Sequence, residues 1–153
     1  SLMIREMLPS DVPAAHKIRL RVRENRLSDP SLVTEQDYHA FMARDTMSWV
    51  HEMDGEITGF VMVDPGSEAG TGVEKQNLWA LFVAPEHEGK GIGKGLHETM
   101  CTAYFERAER LRLTTDPHTR AARFYRMAGY TECGFTADGK ELIFELRGRA
   151  SRA

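Results

Sequence analysis

Apolar residues follow strand-like and helix-like spacing in turn along the chain. Short runs rich in strand-forming residues predict strands at 3–8, 48–53, 57–63, 78–83, 111–115, 130–135 and 141–146. Apolar residues three or four positions apart predict helices at 12–25, from 34 through 41, from about 93 to 108 and at 119–127. The pattern therefore predicts a strand, two helices and a hairpin, followed by strand, helix, strand, helix and two final strands.

Turn residues mark where several of these elements end. Asp54-Gly55 stands between two apolar runs, which predicts a tight hairpin. Gly129 follows the last helical pattern and predicts its stop. Residues 65–75 are polar and glycine-rich, so we expect an exposed loop there. The basic segment from Arg147 onward predicts an unstructured tail.

The most informative stretch joins the fourth predicted strand to the third predicted helix. Ala84-Pro85 closes the strand, and the segment that opens the helix reads GKGIGKG at 89–95. Glycines let a backbone turn sharply, and the free amides at a helix start meet the positive end of its dipole. This order predicts an anion site, with phosphate as the best fit. A tight strand-to-helix turn without any ligand is the other interpretation.

Two nucleotide-binding motifs fail on spacing in this stretch. A P-loop needs a glycine five positions before its Gly-Lys pair, where this chain has Glu88, and a Ser or Thr where it has Gly95. A dinucleotide GxGxxG would need glycine at Lys94 or at Leu96. Any phosphate-bearing ligand of this stretch is therefore not bound through a P-loop or a dinucleotide-binding motif.

Composition places the chain among ordinary globular proteins. Its 153 residues carry no repeat or internal linker, which predicts a single domain, and Ser1-Leu2 before Met3 suggests an expression scar. The net charge of −3 gives no general attraction to nucleic acid or to an anionic membrane. Cys101 and Cys133 lack metal-ligand spacing, and no signal peptide or membrane-length apolar run is visible. We therefore expect reduced thiols and a cytoplasmic location.

Two segments together resemble the Gcn5-related N-acetyltransferase (GNAT) family. The first, VAPEHEGKGIG at 83–93, is similar to the family's motif A, in which a valine and a proline precede [Q/R]xxGx[G/A] and a helix. The second, AARFYRMAGY at 121–130, is similar to the family's AxxFYxxxGF segment. The order of predicted elements also matches, so the resemblance covers nearly the whole chain.

The resemblance implies an α/β (α+β) fold of the acyl-CoA N-acyltransferase type. Its mixed, mostly antiparallel twisted sheet would have about six or seven strands, flanked by about four helices and splayed between the fourth and fifth strands. The implied enzyme moves the acetyl group of acetyl-CoA to a primary amine of a small molecule or peptide, by direct attack in a ternary complex. A non-catalytic acyl-CoA-binding regulatory module and an acyltransferase for longer acyl groups remain open, as does a homodimer.

The same resemblance implies where acetyl-CoA binds. Backbone groups at the end of the fourth strand would pair with the pantetheine arm, and the glycine-rich segment would cradle the pyrophosphate. No metal is implied. The cofactor-binding positions are Leu81, Phe82, Val83, Glu88, Gly89, Lys90, Gly91, Ile92, Gly93, Lys94, His118 and Phe124. Lys90 and Lys94 have a second interpretation as solvated surface charges.

Tyr125 is the implied catalytic residue. It matches a tyrosine that in many relatives donates a proton to the departing thiolate. The alternative is a core aromatic residue on a helix beside Phe124. A substitution that removes only the Tyr125 hydroxyl separates the two interpretations.

Three positions depart from the family pattern. Glu88 stands where relatives carry Gln or Arg, and His118 stands where many place an asparagine that binds the pantetheine arm. His118 either replaces that donor or caps the following helix. Asn77 stands where some relatives have a glutamate base, so the base lies elsewhere. Candidates are a water chain and the side chains of Glu24, His39, Glu52 and Asp64.

Overall fold

The computed structural model describes residues 3–23, 33–66 and 76–149 of the chain. Its residues group into two compact units. The first unit comprises Ser1–Val63 and Ala80–Thr102, and the second comprises Asp64–Trp79 and Ala103–Ala153. The single domain expected from the sequence stays a prediction.

The helices and strands follow the predicted order. They are β1 (Ile4–Glu6), α1 (Val12–Arg23), α2 (Glu35–Met42), β2 (Met47–Met53), β3 (Glu56–Val63), β4 (Leu78–Val83), α3 (Ile92–Tyr104), β5 (Arg110–Thr115), α4 (Arg120–Met127), β6 (Thr131–Phe135) and β7 (Leu142–Arg147). Single turns of 3-10 helix stand before α1 at Pro9–Asp11 and after β4 at Pro85–His87. Within the described ranges, seven strands and four helices confirm the mixed α/β class.

The first unit is built on a four-stranded sheet in the order β1-β2-β3-β4. β2 is antiparallel to both β1 and β3. The turn between β2 and β3 has a φ of 51° at Asp54 and 79° at Gly55. Positive φ at both central residues is the turn geometry that matches the twist of paired strands. The hairpin predicted from Asp54-Gly55 is confirmed.

Two helices belong to the first unit as well. α1 packs against β3 and α2, and its buried residues Val12, Ala15 and Ile18 recur every three positions. α2 begins with a capping box, in which the N–H of Thr34 donates to Asp37 Oδ2 at 2.7 Å. The apolar stripe on α1 therefore forms one wall of this unit's core.

The second unit holds a three-stranded antiparallel sheet in the order β5-β7-β6. β7 is the central strand, and Leu142, Ile143 and Phe144 on it are buried. β6 lies at the edge, and all five of its residues are exposed. The segment before β4 also belongs to this unit, because the N–H of Asn77 donates to the carbonyl of Arg112 on β5 at 2.8 Å. β5 and β7 therefore form the buried part of the sheet.

A few predicted boundaries move. α3 ends at Tyr104 and not near 108, because the carbonyl of Tyr104 accepts the N–H of Arg107 in a tighter turn. The unstructured tail does not begin at Arg147, since β5 extends far enough for Arg110 to pair with it. The predicted helix end at 24–25, the loop residues 67–75 and the last residues 150–153 lie outside the described residues. In the ranges that the structure describes, no helix has the length and apolar character needed to cross a membrane.

Candidate active site

The segment between β4 and α3 forms a turn that only glycine adopts easily. We call residues 88–91 the glycine loop. The N–H of Ala84 donates to the carbonyl of Thr58 at 2.8 Å, which fixes the end of β4 to β3. Gly89 and Gly91 then have φ of 78° and 81°, and the N–H of Gly95 donates to the Gly91 carbonyl at 3.0 Å as α3 begins. The predicted order of strand, glycine loop and helix is confirmed.

Backbone amides are the chemical groups that this turn presents. In the first turn of an α-helix, the N–H groups have no carbonyl one turn earlier to bind. In α3 these are the amides of Ile92, Gly93 and Lys94, at the positive end of the helix dipole. An added Cβ at Gly91 meets no atom within 4 Å, so its positive φ is what requires glycine there. The amides and the open space beside them suit an anionic group.

The charged side chains of this segment lie at its surface. Glu88, Lys90 and Lys94 are all exposed. Lys90 Nζ lies 3.0 Å from His87 Nδ1. An ammonium group can only donate, so His87 Nδ1 is the acceptor in this contact. Direct binding of phosphate by either lysine stays a prediction.

β4 offers a second kind of binding surface. It is the last strand in the order of its sheet, and an edge strand presents backbone N–H and C=O groups along its outer side. Leu81, Phe82 and Val83 on it are partly exposed. The Phe82 ring packs against Phe60 at 5.8 Å between centroids, and the guanidinium of Arg19 lies 5.1 Å from its centre. Residues 81–83 thus combine a fixed side-chain position for Phe82 with a place on the edge strand of the sheet.

Gly59 sets how closely β4 and α3 approach β3, and the sequence analysis missed it. A Cβ added there would lie 3.0 Å from the Phe82 carbonyl oxygen and 3.1 Å from both Ile92 Cγ2 and Leu96 Cδ1. These separations are shorter than van der Waals contact, so only glycine fits without movement. A lone glycine inside an apolar strand run was the available signal, since it often marks a close approach of backbones.

Tyr125 lies in the second unit, on a helix with well-defined ends. At the N-terminus, Thr119 Oγ1 accepts the N–H of Ala122 at 3.3 Å. At the C-terminus, Gly129 has a φ of 97°, and the N–H of Tyr130 donates to the Tyr125 carbonyl at 3.0 Å. This is a Schellman motif, so the predicted stop at Gly129 is confirmed.

Aromatic packing holds the Tyr125 side chain. It is buried, and its ring lies 5.1 Å from Tyr130, 5.4 Å from Phe124 and 5.9 Å from Phe144 on β7, between centroids. Such pairs contribute beyond area burial. The geometry supports the packing role of Tyr125 directly, while its role as a proton donor stays a prediction.

His118 does not cap α4. Thr119 occupies the cap position, and the N–H of His118 donates to Asp116 Oδ1 at 2.9 Å. The His118 side chain is exposed just before the helix. The capping hypothesis for His118 is therefore wrong, because the neighbouring threonine supplies the hydroxyl. Its role as a donor to the pantetheine arm stays a prediction.

Asn77 has a structural role in the second unit. It is buried, Nδ2 donates to the Asp64 carbonyl at 3.1 Å, and Oδ1 accepts the N–H of Arg112 at 2.8 Å. Its backbone N–H and C=O are also bonded, to the Arg112 carbonyl and the Asp64 N–H, each at 2.8 Å. Asn77 therefore joins two backbone segments through four hydrogen bonds. Sequence reasoning missed this role because both partners are distant in the chain.

Two of the candidate bases have other contacts, one is partly exposed, and one lies outside the described residues. Glu52 Oε1 accepts Arg5 Nη2 at 2.8 Å, and Asp64 Oδ1 accepts the N–H of Gly66 at 2.8 Å. His39 is partly exposed on α2, and Glu24 falls in a range that is not described. Across the described ranges, no group of three or more His, Cys, Asp or Glu side chains could hold a metal ion.

The first unit also contains two buried histidines that could not be singled out from the sequence. His97 on α3 is buried, with Nε2 3.6 Å from Cys101 Sγ. Burial lowers its pKa below the usual range of histidine. His51 on β2 is buried too, with Nδ1 2.6 Å from Thr58 Oγ1, and burial likewise lowers its pKa. Both imidazoles are therefore neutral in the fold at pH 7.

The element order, the edge strand and the glycine loop together define an acyltransferase-type fold. The family model described as the acetyltransferase (GNAT) family matches residues 12–130. The chain belongs to this family, and the resemblance found in the sequence is confirmed. Of the predicted site residues, 81–83 and 88–94 lie in the first unit, whereas His118, Phe124 and Tyr125 lie in the second.

Known relatives and solved structures that resemble this chain are also named N-acetyltransferases. The chain is 31% identical over 102 residues to the peptidyl-lysine N-acetyltransferase YiaC of Escherichia coli, a match covering 61% of this chain and 61% of the relative's length. A ribosomal-protein-alanine N-acetyltransferase from Brucella melitensis superposes with a TM-score of 0.78 at 23% identity, over 95% of this chain and 99% of the other. The PaiA N-acetyltransferase of Thermoplasma acidophilum, in complex with coenzyme A, superposes with a TM-score of 0.75 at 16% identity. This match covers 95% of this chain and 98% of the other. These two likenesses show a shared fold.

Proposed function

We propose that this chain transfers the acetyl group of acetyl-CoA to an amine of a protein or peptide. The observation that carries the proposal is the glycine loop, which leads from an edge strand into the N-terminus of α3 through two glycines of positive φ. First-turn amides bind anions, and an edge strand pairs with extended, amide-bearing ligands. Coenzyme A has both a pyrophosphate and an amide-bearing pantetheine arm, so the residues present fit it.

Each part of the ligand has a proposed partner in the chain. Acetyl-CoA supplies the acetyl group as a thioester. The amides of Ile92, Gly93 and Lys94 hold the pyrophosphate, and the edge of β4 at 81–83 pairs with the pantetheine arm. A β4 N–H stabilises negative charge on the thioester oxygen, and Tyr125 donates a proton to the departing sulfur. The coenzyme A complex of the Thermoplasma relative supports this choice of ligand.

The proposed acceptor is a lysine side chain or an N-terminal amine. The relative from E. coli is named for peptidyl-lysine, and the Brucella structure is named for ribosomal-protein alanine. Both acceptors are amines on polypeptides, so a peptide is favoured over a small free amine. An amine attacks a thioester only in its neutral form, which places the reaction best above neutral pH.

Calorimetry and an activity assay test the proposal in two steps. We expect coenzyme A and acetyl-CoA to bind with similar affinity, because most of their contacts are shared. We then expect release of free coenzyme A with a peptide that offers a lysine or N-terminal amine. The matched control is the same peptide with its N-terminus acetylated and its lysine replaced by norleucine.

The outcomes separate the alternatives. No binding of either ligand at millimolar concentration would contradict the whole proposal. Binding without release of coenzyme A from any amine would indicate a regulatory acyl-CoA-binding module. Faster turnover of propionyl- or succinyl-CoA than of acetyl-CoA would instead indicate an acyltransferase for longer acyl groups.

A further inference from the structure

An ion pair joins α1 to the turn that immediately precedes the glycine loop. Glu86 lies in the short 3-10 helical turn at Pro85–His87, and Arg21 lies near the end of α1. Arg21 Nη1 donates to Glu86 Oε2 at 3.0 Å, and Arg21 Nη2 donates to Glu86 Oε1 at 2.6 Å. The two groups thus meet fork to fork, the geometry in which arginine holds a carboxylate most specifically.

The pair keeps its charges at any physiological pH. Hydrogen bonding to Arg21 lowers the pKa of Glu86 to about 2. The carboxylate is therefore a full negative charge two residues before the glycine loop begins. An anion at this position would oppose the binding of a second anion by the nearby amides, unless a cation offsets it.

Stability does not explain this arrangement well. The side chains of Arg21 and Glu86 are 43% and 47% exposed, and exposed ion pairs contribute little to the free energy of folding. What distinguishes the pair is its location. Its two partners are 65 positions apart in the chain, and Glu86 lies in the turn that leads directly into the glycine loop.

We propose that Arg21 is a positioning residue for the coenzyme. It holds the Glu86 carboxylate against α1 and offsets its charge, so that the amides of the glycine loop and the start of α3 accept a pyrophosphate. The inference rests on the proposed function, because it concerns the same ligand. Arg21 acts through Glu86, without a contact of its own to coenzyme A.

The test measures the dissociation constant of coenzyme A by calorimetry in the full chain. We compare the wild type with Arg21→Gln, with the double variant Arg21→Gln/Glu86→Gln, and with Lys17→Gln, which removes one positive charge from the same helix one turn earlier. Arg21→Gln should weaken binding about fivefold in 0.1 M salt, as expected for one uncompensated charge near the surface. The loss should shrink in 0.5 M salt because exposed charges are screened there.

The second substitution separates positioning from a general structural effect. The double variant should bind within about twofold of the wild type, because no charge is left to offset. Lys17→Gln should also stay within about twofold. Wild-type affinity in Arg21→Gln would overturn the inference, and so would equal weakness in Arg21→Gln and the double variant, or a fivefold loss in Lys17→Gln. Absence of binding by the wild type would overturn the proposed function and this inference together.

Discussion

The two regions assigned to binding and to chemistry are built by different means. The glycine loop and the start of α3 present backbone amides, and the charged side chains around them are exposed. The helix α4 instead presents a side chain, and Tyr125 on it is buried among three aromatic rings. In the first region the proposed coenzyme binding depends on φ angles, and in the second the proposed proton transfer depends on packing. Substitutions should therefore separate binding from stability in the first region and couple turnover to packing in the second.

The glycine loop provides the largest effect. Gly91→Glu should weaken coenzyme A binding by about 100-fold or more, because it places bulk and negative charge beside the amides. The positive φ of 81° should add a modest loss of stability, about 1 kcal/mol. Calorimetry measures the binding, and circular dichroism should show a folded chain.

Gly139→Glu is the matched control for that variant. Gly139 has a φ of 75° and no atom within 4 Å of an added Cβ, so its substitution imposes the same strain outside the loop. We expect Gly139→Glu to lose similar stability and to bind coenzyme A normally. Equal loss of binding in both variants would mean that strain, and not position, explains the effect of Gly91→Glu.

Tyr125→Phe gives the next largest effect and tests the second region. If Tyr125 donates a proton, kcat should fall about 100-fold while the affinity for acetyl-CoA stays the same. Tyr130→Phe removes a hydroxyl from the same aromatic cluster and should leave kcat nearly unchanged. Steady-state kinetics with an accepted peptide decides the point. Full activity of Tyr125→Phe would leave the residue with a packing role alone.

Gly59→Ala should give a smaller effect, a loss of stability at a residue that packs against the proposed binding strand β4. The new Cβ would stand 3.0 Å from the Phe82 carbonyl oxygen, a contact that forces a backbone shift. We expect a loss of about 1–3 kcal/mol in the free energy of unfolding, as for other overpacked sites. Chemical denaturation measures it, and an unchanged midpoint would show that β4 and α3 move apart at little cost.

The smallest effect concerns pH and stability. The pKa of His97 is lowered by burial in the fold, so the unfolded chain binds more protons below the usual histidine pKa, roughly 6.5. The stability contributed by neutral His97 is therefore present above that pH and is lost as the pH falls below it. The melting temperature should drop over this range, and less so in His97→Leu. His51 adds to the drop in both proteins, and parallel curves would contradict the assignment to His97.

Local signals predicted much of this fold. The bounds of β4 at 78–83 and the stop of α4 at Gly129 both follow from residues adjacent in the chain. The glycine loop was found in the same way, because the strand, the run of glycines and the helix follow one another directly between Leu78 and Tyr104. Periodicity and turn chemistry act over such short distances, which is why sequence reasoning recovers them.

Contacts between distant residues could not be predicted in this way. Asn77 occupies a position where some relatives have a catalytic glutamate, and the sequence did not show that it binds the backbone of Arg112, 35 residues later. Glu86 and Gly59 likewise acquire their roles from partners on other elements. A single sequence contains the residue types but not the pairing, because many alternative partners would satisfy the same local pattern.

The exposed edge strand β6 sets the order in which backbone amides of the second unit should exchange with solvent. All five of its residues are exposed, whereas four of the six residues of β7 beside it are buried and the strand is paired on both sides. Opening β6 exposes little apolar surface, so its local unfolding requires less free energy than opening β7. In deuterated solvent, amides that β6 donates to β7 should therefore exchange early. Those between β5 and β7 should persist until the whole unit unfolds.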